Sequence, residues 1–219
     1  MLRSNFENDL NKLHVDLDKM CHSVVLAIEN CITAFKSGDR ELCRDIISGD
    51  KVINDMERTI EARCLSSIIK QQPVASDLRS VSTALKVVTD LERIGDQGAD
   101  IAEILLETDV SSPYKMVEHI PSMAALAKDM VKGSVEAFHQ SSLDKANEIK
   151  TMESKMNGLF EEVKVELIQI VKESADNIDV VINFLMIAKY FERIGDHAVN
   201  ICEWVEFNQT GAIDNSRLI

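Results

Sequence analysis

Two stretches of the chain carry the same set of chemistry-bearing residues. Leu91–Glu103 reads LERIGDQGADIAE, and one hundred residues later Phe191–Glu203 reads FERIGDHAVNICE. Each sets a Glu and an Asp four residues apart, Glu92 with Asp96 and Glu192 with Asp196. Asp100 and Asn200 follow one turn further on. On a helix, side chains at i and i+4 are neighbours about 6 Å apart, so each pair aims hard oxygen ligands at one locus. Such ligands suit Mg, Ca, Mn, Fe or Zn better than a soft metal. Without a cation the same carboxylates repel, at a cost of a few tenths of a kcal/mol per pair, roughly. Gly95 and Gly195 add about 1 kcal/mol each relative to Ala in a helix interior. A helix selected only for stability would avoid both. The other reading of the same residues is a solvated acidic face, with Arg93 and Arg193 as partial neutralisers and the glycines allowing close helix contact.

The elements that must position these residues are long helices. At 100° per residue, Leu78, Val81, Leu85 and Val88 fall on the same face as Glu92, Asp96, Ala99 and Glu103, with Asp100 at its edge. The apolar stripe of the helix thus becomes a carboxylate stripe. The second copy repeats this with Ile178, Val181, Leu185 and Ala188, then Glu192, Asp196, Val199 and Glu203, with Asn200 beside them. The opposite face, Leu91, Ile94, Ile101 and Leu105, or Phe191, Ile194 and Ile201, takes over the packing. A preceding helix in each half offers an outer set of ligands: Asp50, Asn54 and Glu57 in the first, Glu153 and Asn157 in the second. His197 follows Asp196 and reads equally as a structural histidine or a ligand. His14, Asp18 and His22 recur at helical spacing but have no match in the second half.

Upstream, Leu10, Leu13, Leu17, Cys21, Val24, Ile28 and Cys31 recur at three- and four-residue spacing, which predicts a first helix ending near Gly38. Asp39 is placed to cap a second helix with the core stripe Leu42, Ile46, Ile53, Met56 and Ile60. Asp77 is placed to cap the third. The segment TDVSSPYKMVEHIPS holds two of the three prolines and reads as a linker. After it the plan repeats: ADNIDVVINFLMIAKYFERIGD matches ASDLRSVSTALKVVTDLERIGD position by position. The expected fold class is all-α: two tandem antiparallel three-helix bundles related by a pseudo-twofold. The first spans residues 1–108, the linker 109–122, the second bundle 123–208 and a flexible tail 209–219.

Composition narrows the function classes. Only 8 Gly and 3 Pro in 219 residues disfavour an all-β fold. A formal net charge of −13 argues against a nucleic-acid backbone binder and against unaided attachment to anionic lipid. The five cysteines, 21, 31, 43, 64 and 202, include no Cys-x-x-Cys pair and read as buried thiols in a reducing compartment. No signal core precedes the first helix, and the run VVINFLMIAKY is too short to span a bilayer, so the expectation is a soluble intracellular protein.

The chain resembles the PhoU family of phosphate-transport accessory and phosphate-signalling regulators. The resemblance rests on the tandem three-helix plan, QPVASDLR before the third helix, DLERIGDQGADIAE ending it, and YFERIGDHAVNICE in the second half. It implies a cytoplasmic, non-enzymatic protein that restrains phosphate uptake. The same resemblance implies docking on the ATP-binding subunit of a phosphate ABC transporter and on a sensor histidine kinase, with the membrane reached only through these partners. It also implies iron or zinc, in some members as multinuclear clusters, on the positions of Glu92, Asp96, Glu192 and Asp196. Asn200 fits the Asn usual in that motif, and Asp100 departs from it. Self-association as a homodimer stays open. Two rival readings remain. A ferritin-like carboxylate-bridged oxidase needs paired Glu-x-x-His motifs, of which only Glu136 with His139 is present. A metal-free helical scaffold would use its acidic faces to bind partners.

Overall fold

The structure is a computed structural model and describes residues 2–74, 76–108, 117–213 and 216–217. Its six helices are α1 (Leu2–Ser37), α2 (Arg40–Gln71), α3 (Ser76–Glu107), α4 (His119–Gln140), α5 (Leu143–Glu173) and α6 (Ile178–Thr210). A 3₁₀ turn at Ala175–Asn177 joins α5 to α6. Most of the boundaries have local causes. Gly38 takes φ 68° and its N–H bonds Ala34 O at 2.8 Å, closing α1. The Asp39 carboxylate then accepts from the Glu41 and Leu42 N–H groups, both at 3.0 Å, and opens α2. Ser142 caps α5 through the Lys145 N–H at 3.3 Å.

Three boundaries differ from the sequence reading. The helix after the linker starts at His119, not 123, and Pro121 sits in its first turn. There the missing N–H has no intrahelical acceptor to satisfy, so proline starts the helix instead of blocking it. Residues 109–116 of the expected linker lie outside the described residues. Asp77 stands inside the first turn of α3, favourable to the helix dipole, instead of at the cap. The tail is partly built into the fold: α6 runs to Thr210, Gly211 closes it at φ 75°, and β1 (Ala212–Ile213) pairs antiparallel with β2 (Ser216–Arg217).

Each half is a three-helix unit, but the halves do not have separate cores. One continuous apolar cluster takes residues from all six helices. α3 packs antiparallel along α6. Ser80 donates to Asn208 Oδ1 at 3.2 Å at one end of this seam, and Asn183 donates to Thr108 Oγ1 at 2.9 Å at the other. That register sets Ile94 opposite Ile194, both fully buried, at the centre of the pseudo-twofold. α1 and α4 cross in the same antiparallel sense, with Lys128 on Glu29 at 3.3 Å. α2 and α5 flank the outside.

Enclosure of α3 and α6 rotates their buried arcs away from the expected stripe. Ala84, Val87, Leu91, Ile94, Ile101 and Leu105 are buried in succession, so one face of α3 is core from end to end. Of the stripe expected to pack, Val81 and Val88 are buried, Leu85 is half-buried and Leu78 is exposed. In α6 the core is Phe184, Ile187, Phe191 and Ile194, whereas Ile178 and Leu185 are exposed and Val181 is half-buried. All five cysteines are buried and free. Burial pushes the thiols of Cys21, Cys64 and Cys202 up to about 12, which leaves them unreactive at neutral pH. No described helix is long and apolar enough to cross a membrane.

A shared core makes the halves one folding unit. Phe191→Ala should cost about 3–5 kcal/mol and lower a single thermal transition. Calorimetry of the variant that resolved two transitions, with the first half melting as in wild type, would show independent cores instead.

Candidate metal centre

In the first half the sequence-predicted residues meet on one flank. Glu92 and Asp96 of α3 face Asp50 and Glu57 of α2 closely enough to perturb them. Burial, then Asp96, push the Glu92 carboxyl above its ordinary range. Burial, then Glu92, do the same to Glu57, and burial, then Asp96, to Asp50. Asn54 donates to Asp50 Oδ2 at 2.9 Å, yet Asp50 Oδ1 and Asn54 Oδ1 are buried with no hydrogen-bond partner. Among the described residues, Arg93 is the cation paired with these acids, 3.1 Å from Asp96 and 3.5 Å from Glu92. Gly95 is what lets α2 come this close. A Cβ there would stand 3.0 Å from both Ile53 Cδ1 and Ile53 Cγ2 and 3.5 Å from Asp50 Oδ1.

The second half keeps the plan with different neighbours. Lys189 bonds Glu192 directly. Burial, then Glu192, raise the Asp196 carboxyl, and Glu153 adds to the repulsion. Asn157 is exposed and, among the described residues, has no hydrogen bond to the acids. Phe160 stands where α2 has Glu57, with Lys164 and Lys189 over its ring at 5.7 and 5.5 Å. A Cβ on Gly195 would meet Met156 Cγ at 3.4 Å, an ordinary contact.

Asp100 and Asn200 belong to the seam between the halves. The Asn200 amide donates to Asp90 Oδ1 at 3.3 Å, and His197 Nδ1 lies 2.9 Å from the same oxygen. His197 therefore has a structural role across the seam. On the other side of the pseudo-twofold, Tyr190 bonds Asp100, and burial and that carboxylate raise its phenol. Asp100 also reaches Asp50 electrostatically, so it remains part of the first-half cluster. Sequence periodicity had no signal for Asp90 or Tyr190, because each finds its partner in the other repeat.

The remaining candidates do not assemble. His139 stacks edge-on against His14 at 4.8 Å, and its Nε2 lies 2.8 Å from Asp18 without hydrogen-bond alignment. His22 is exposed, and Glu136 is held by Lys145 and Gln140. Among the described residues no group of three or more His, Cys, Asp or Glu side chains is arranged to hold a metal ion as it stands. The donor chemistry of the first-half flank nonetheless fits a hard cation. It offers only oxygens, two of them buried and unpartnered, and its carboxylates are crowded enough to hold protons more tightly than usual.

A family model described as PhoU domain matches residues 17–105 and again 120–205, so it covers both halves. The chain belongs to the PhoU family. A PhoU relative from Clostridium acetobutylicum, named as a phosphate-specific transport system accessory protein PhoU homolog, is 36% identical over 96% of this chain and 97% of its own. The PhoU of Escherichia coli is 30% identical over 96% of this chain and 87% of its own. Crystal structures of PhoU agree in fold. That from Pseudomonas aeruginosa superposes with a TM-score of 0.85 at 29% identity, covering 94% of this chain and all (100%) of that one. That from Streptococcus pneumoniae, a phosphate transport system regulatory protein, gives 0.89 at 27% identity over 96% and 99%. The matched segments contain both acid-bearing helix turns.

Two outcomes follow from the geometry. The cluster's raised carboxyls bind protons more tightly in the folded state. Their repulsion is therefore absent below the unfolded carboxylate pKa of about 4 and grows as pH rises through the folded values. Glu92→Gln should then stabilise metal-free protein at neutral pH by roughly a few tenths of a kcal/mol, with no gain near pH 4, as read from melting curves across that range. For the glycines, Gly195→Ala should be at least as stable as wild type, gaining up to about 1 kcal/mol of helix propensity. Gly95→Ala, crowded by the stiff Ile53 side chain, should be the less stable of the two.

Proposed function

We propose that this chain is a cytoplasmic, non-enzymatic regulator that restrains phosphate uptake by docking on a phosphate ABC transporter, through its ATP-binding subunit, and on a phosphate-sensing histidine kinase. The observation that carries this reading is the match over both repeats and 97% of the length of a phosphate-specific transport system accessory protein. The chemistry of the molecule agrees with it. Glu136 and His139, the one Glu-x-x-His pair, point to different partners, which removes the motif a carboxylate-bridged oxidase would need. A net charge of −13 leaves contact with a membrane to protein partners and excludes a nucleic-acid backbone as a natural ligand.

Metal binding is the second part of the proposal. Asp50, Glu57, Glu92, Asp96 and Asp100 would hold a divalent or ferric ion in the first half, and Glu153, Glu192 and Asp196 a weaker site in the second. The bound ion would supply positive charge that cancels the repulsion within each cluster. In its absence Arg93 and Lys189 do this partially. The residues' own part is to bring α2 to α3, and α5 to α6, at fixed spacing and so set the outer surface presented to a partner.

In a host lacking this chain, phosphate uptake should become insensitive to external phosphate, and the wild-type chain should restore control. The double variant Asp96→Ala, Asp196→Ala should keep its helicity and lose most bound iron or zinc, read by elemental analysis of the purified protein. Undiminished metal in that variant would overturn the metal assignment. Unchanged phosphate control in the deletion host, or membrane recovery independent of the transporter, would overturn the docking reading.

A further inference from the structure

The end of α5 and the start of α6 form a tip with an unusual surface. Six large apolar side chains stand in the open there: Val165, Ile168, Ile178, Ile182, Leu185 and Met186, with exposures from 37% to 68%. They recur at i, i+3 on α5 and at i, i+4, i+7, i+8 on α6, so each helix presents them on one side. The two helices are antiparallel neighbours. The contact of Lys189 with Phe160 and that of Gly195 with Met156 fix the register, which sets Ile168 beside Ile182 and Val165 beside Met186. Both helices thus expose apolar side chains at matched heights of one tip, a surface of the kind that marks an interaction site. The corresponding tip of the first half exposes Leu65, Ile69, Val74 and Leu78, but the apolar run does not continue along its third helix: Ser82 and Lys86 occupy the places of Ile182 and Met186, and Lys86 is spent over the Trp204 ring at 5.4 Å.

The charges around this surface select its occupant. Glu161 is paired with Lys164, and Glu162 and Glu166 are paired with His119. Glu173, Asp176 and Asp179, exposed at the tip, form no ion pair among the described residues, and neither does Lys172 next to Glu173 in the chain. Further along α6 stand Glu192 and Asp196. A second copy of this chain would bring the same carboxylates against themselves. An anionic lipid surface would meet both this rim and an overall charge of −13. We propose that the α5–α6 tip receives an amphipathic helix from a protein partner, with an apolar stripe that covers the exposed apolar side chains and Lys or Arg residues flanking it. This gives the docking reading above its surface, and it rests on that reading for its biological setting.

The test uses the full chain and two synthetic 18-residue helical peptides, one with a Leu stripe flanked by Lys, the other with Glu in place of Lys. A scrambled Lys peptide controls for bulk charge. Fluorescence anisotropy should show the Lys peptide binding at least tenfold more tightly than either alternative. Ile182→Glu should weaken it at least tenfold. The double change Ile182→Ser, Met186→Lys, which installs the first repeat's own residues, should do the same without threatening the fold. Leu78→Glu, at the other tip, should leave binding unchanged. Equal binding of the scrambled peptide, or indifference to both Ile182 variants, would overturn the proposal. So would light scattering that showed a dimer dissolved by Ile182→Glu, which would assign the surface to a second copy. Loss in that variant of binding to phosphatidylglycerol vesicles would assign it to lipid. Failure of the peptide while phosphate control in the host still depends on the chain would overturn this surface alone and leave the docking reading standing.

Discussion

The antiparallel seam of α3 and α6 constrains everything else. Each of these helices is walled on three sides, α3 by α1, α2 and α6, and α6 by α3, α4 and α5. A helix so enclosed has one open flank, and charged side chains have nowhere else to go without a large desolvation cost. The duplicated carboxylates sit on that flank in both repeats. Their position follows from where the core leaves room, and their crowding follows from the outer helix that covers the same flank. Gly95 then matters for what it omits, since the outer helix would otherwise be held off by a methyl group.

The seam also dictates which polar groups can be buried. Asp90 is almost fully enclosed, and it is tolerated because His197 and Asn200 both reach its Oδ1. Tyr190 and Asp100 occupy the equivalent place on the other side of the pseudo-twofold. Asp100 thereby joins the first-half acids to the seam, where a residue of the opposite repeat meets it.

Much of this was legible in the sequence, for definite reasons. The repeat showed because its offset is constant through α3 and α6. The stripes of α1 and α2 showed because those helices lie against the core on one side, which gives a narrow apolar arc. Gly38 and Asp39 showed because a turn and a cap are local events. The stripes of α3 and α6 were misread by part of a turn. When three sides are buried the apolar arc is wide, and periodicity no longer locates its centre, so Leu78, Ile178 and Leu185 were taken for core. Asn200 reads as a ligand from its motif but is a seam residue by contact, and no single-helix argument distinguishes these. Pro121 was read as a break because sequence alone does not tell a first turn from an interior one.

The pairing across the pseudo-twofold bears on how such a chain can come from a single repeat. In a symmetric pair of separate copies, position 90 of one would face position 100 of the other, twice over, with identical residues each time. Two copies of the first repeat would set Asp90 against Asp100, acid on acid, at both contacts. Two copies of the second would set Tyr190 against Asn200, with no charge at either. Only the mixed arrangement gives Asp90 an amide and an imidazole, and Asp100 a phenol. Because both repeats lie in one chain, the two sides of the seam need not be alike, and the first repeat's residues at these positions suit the second repeat better than a copy of themselves.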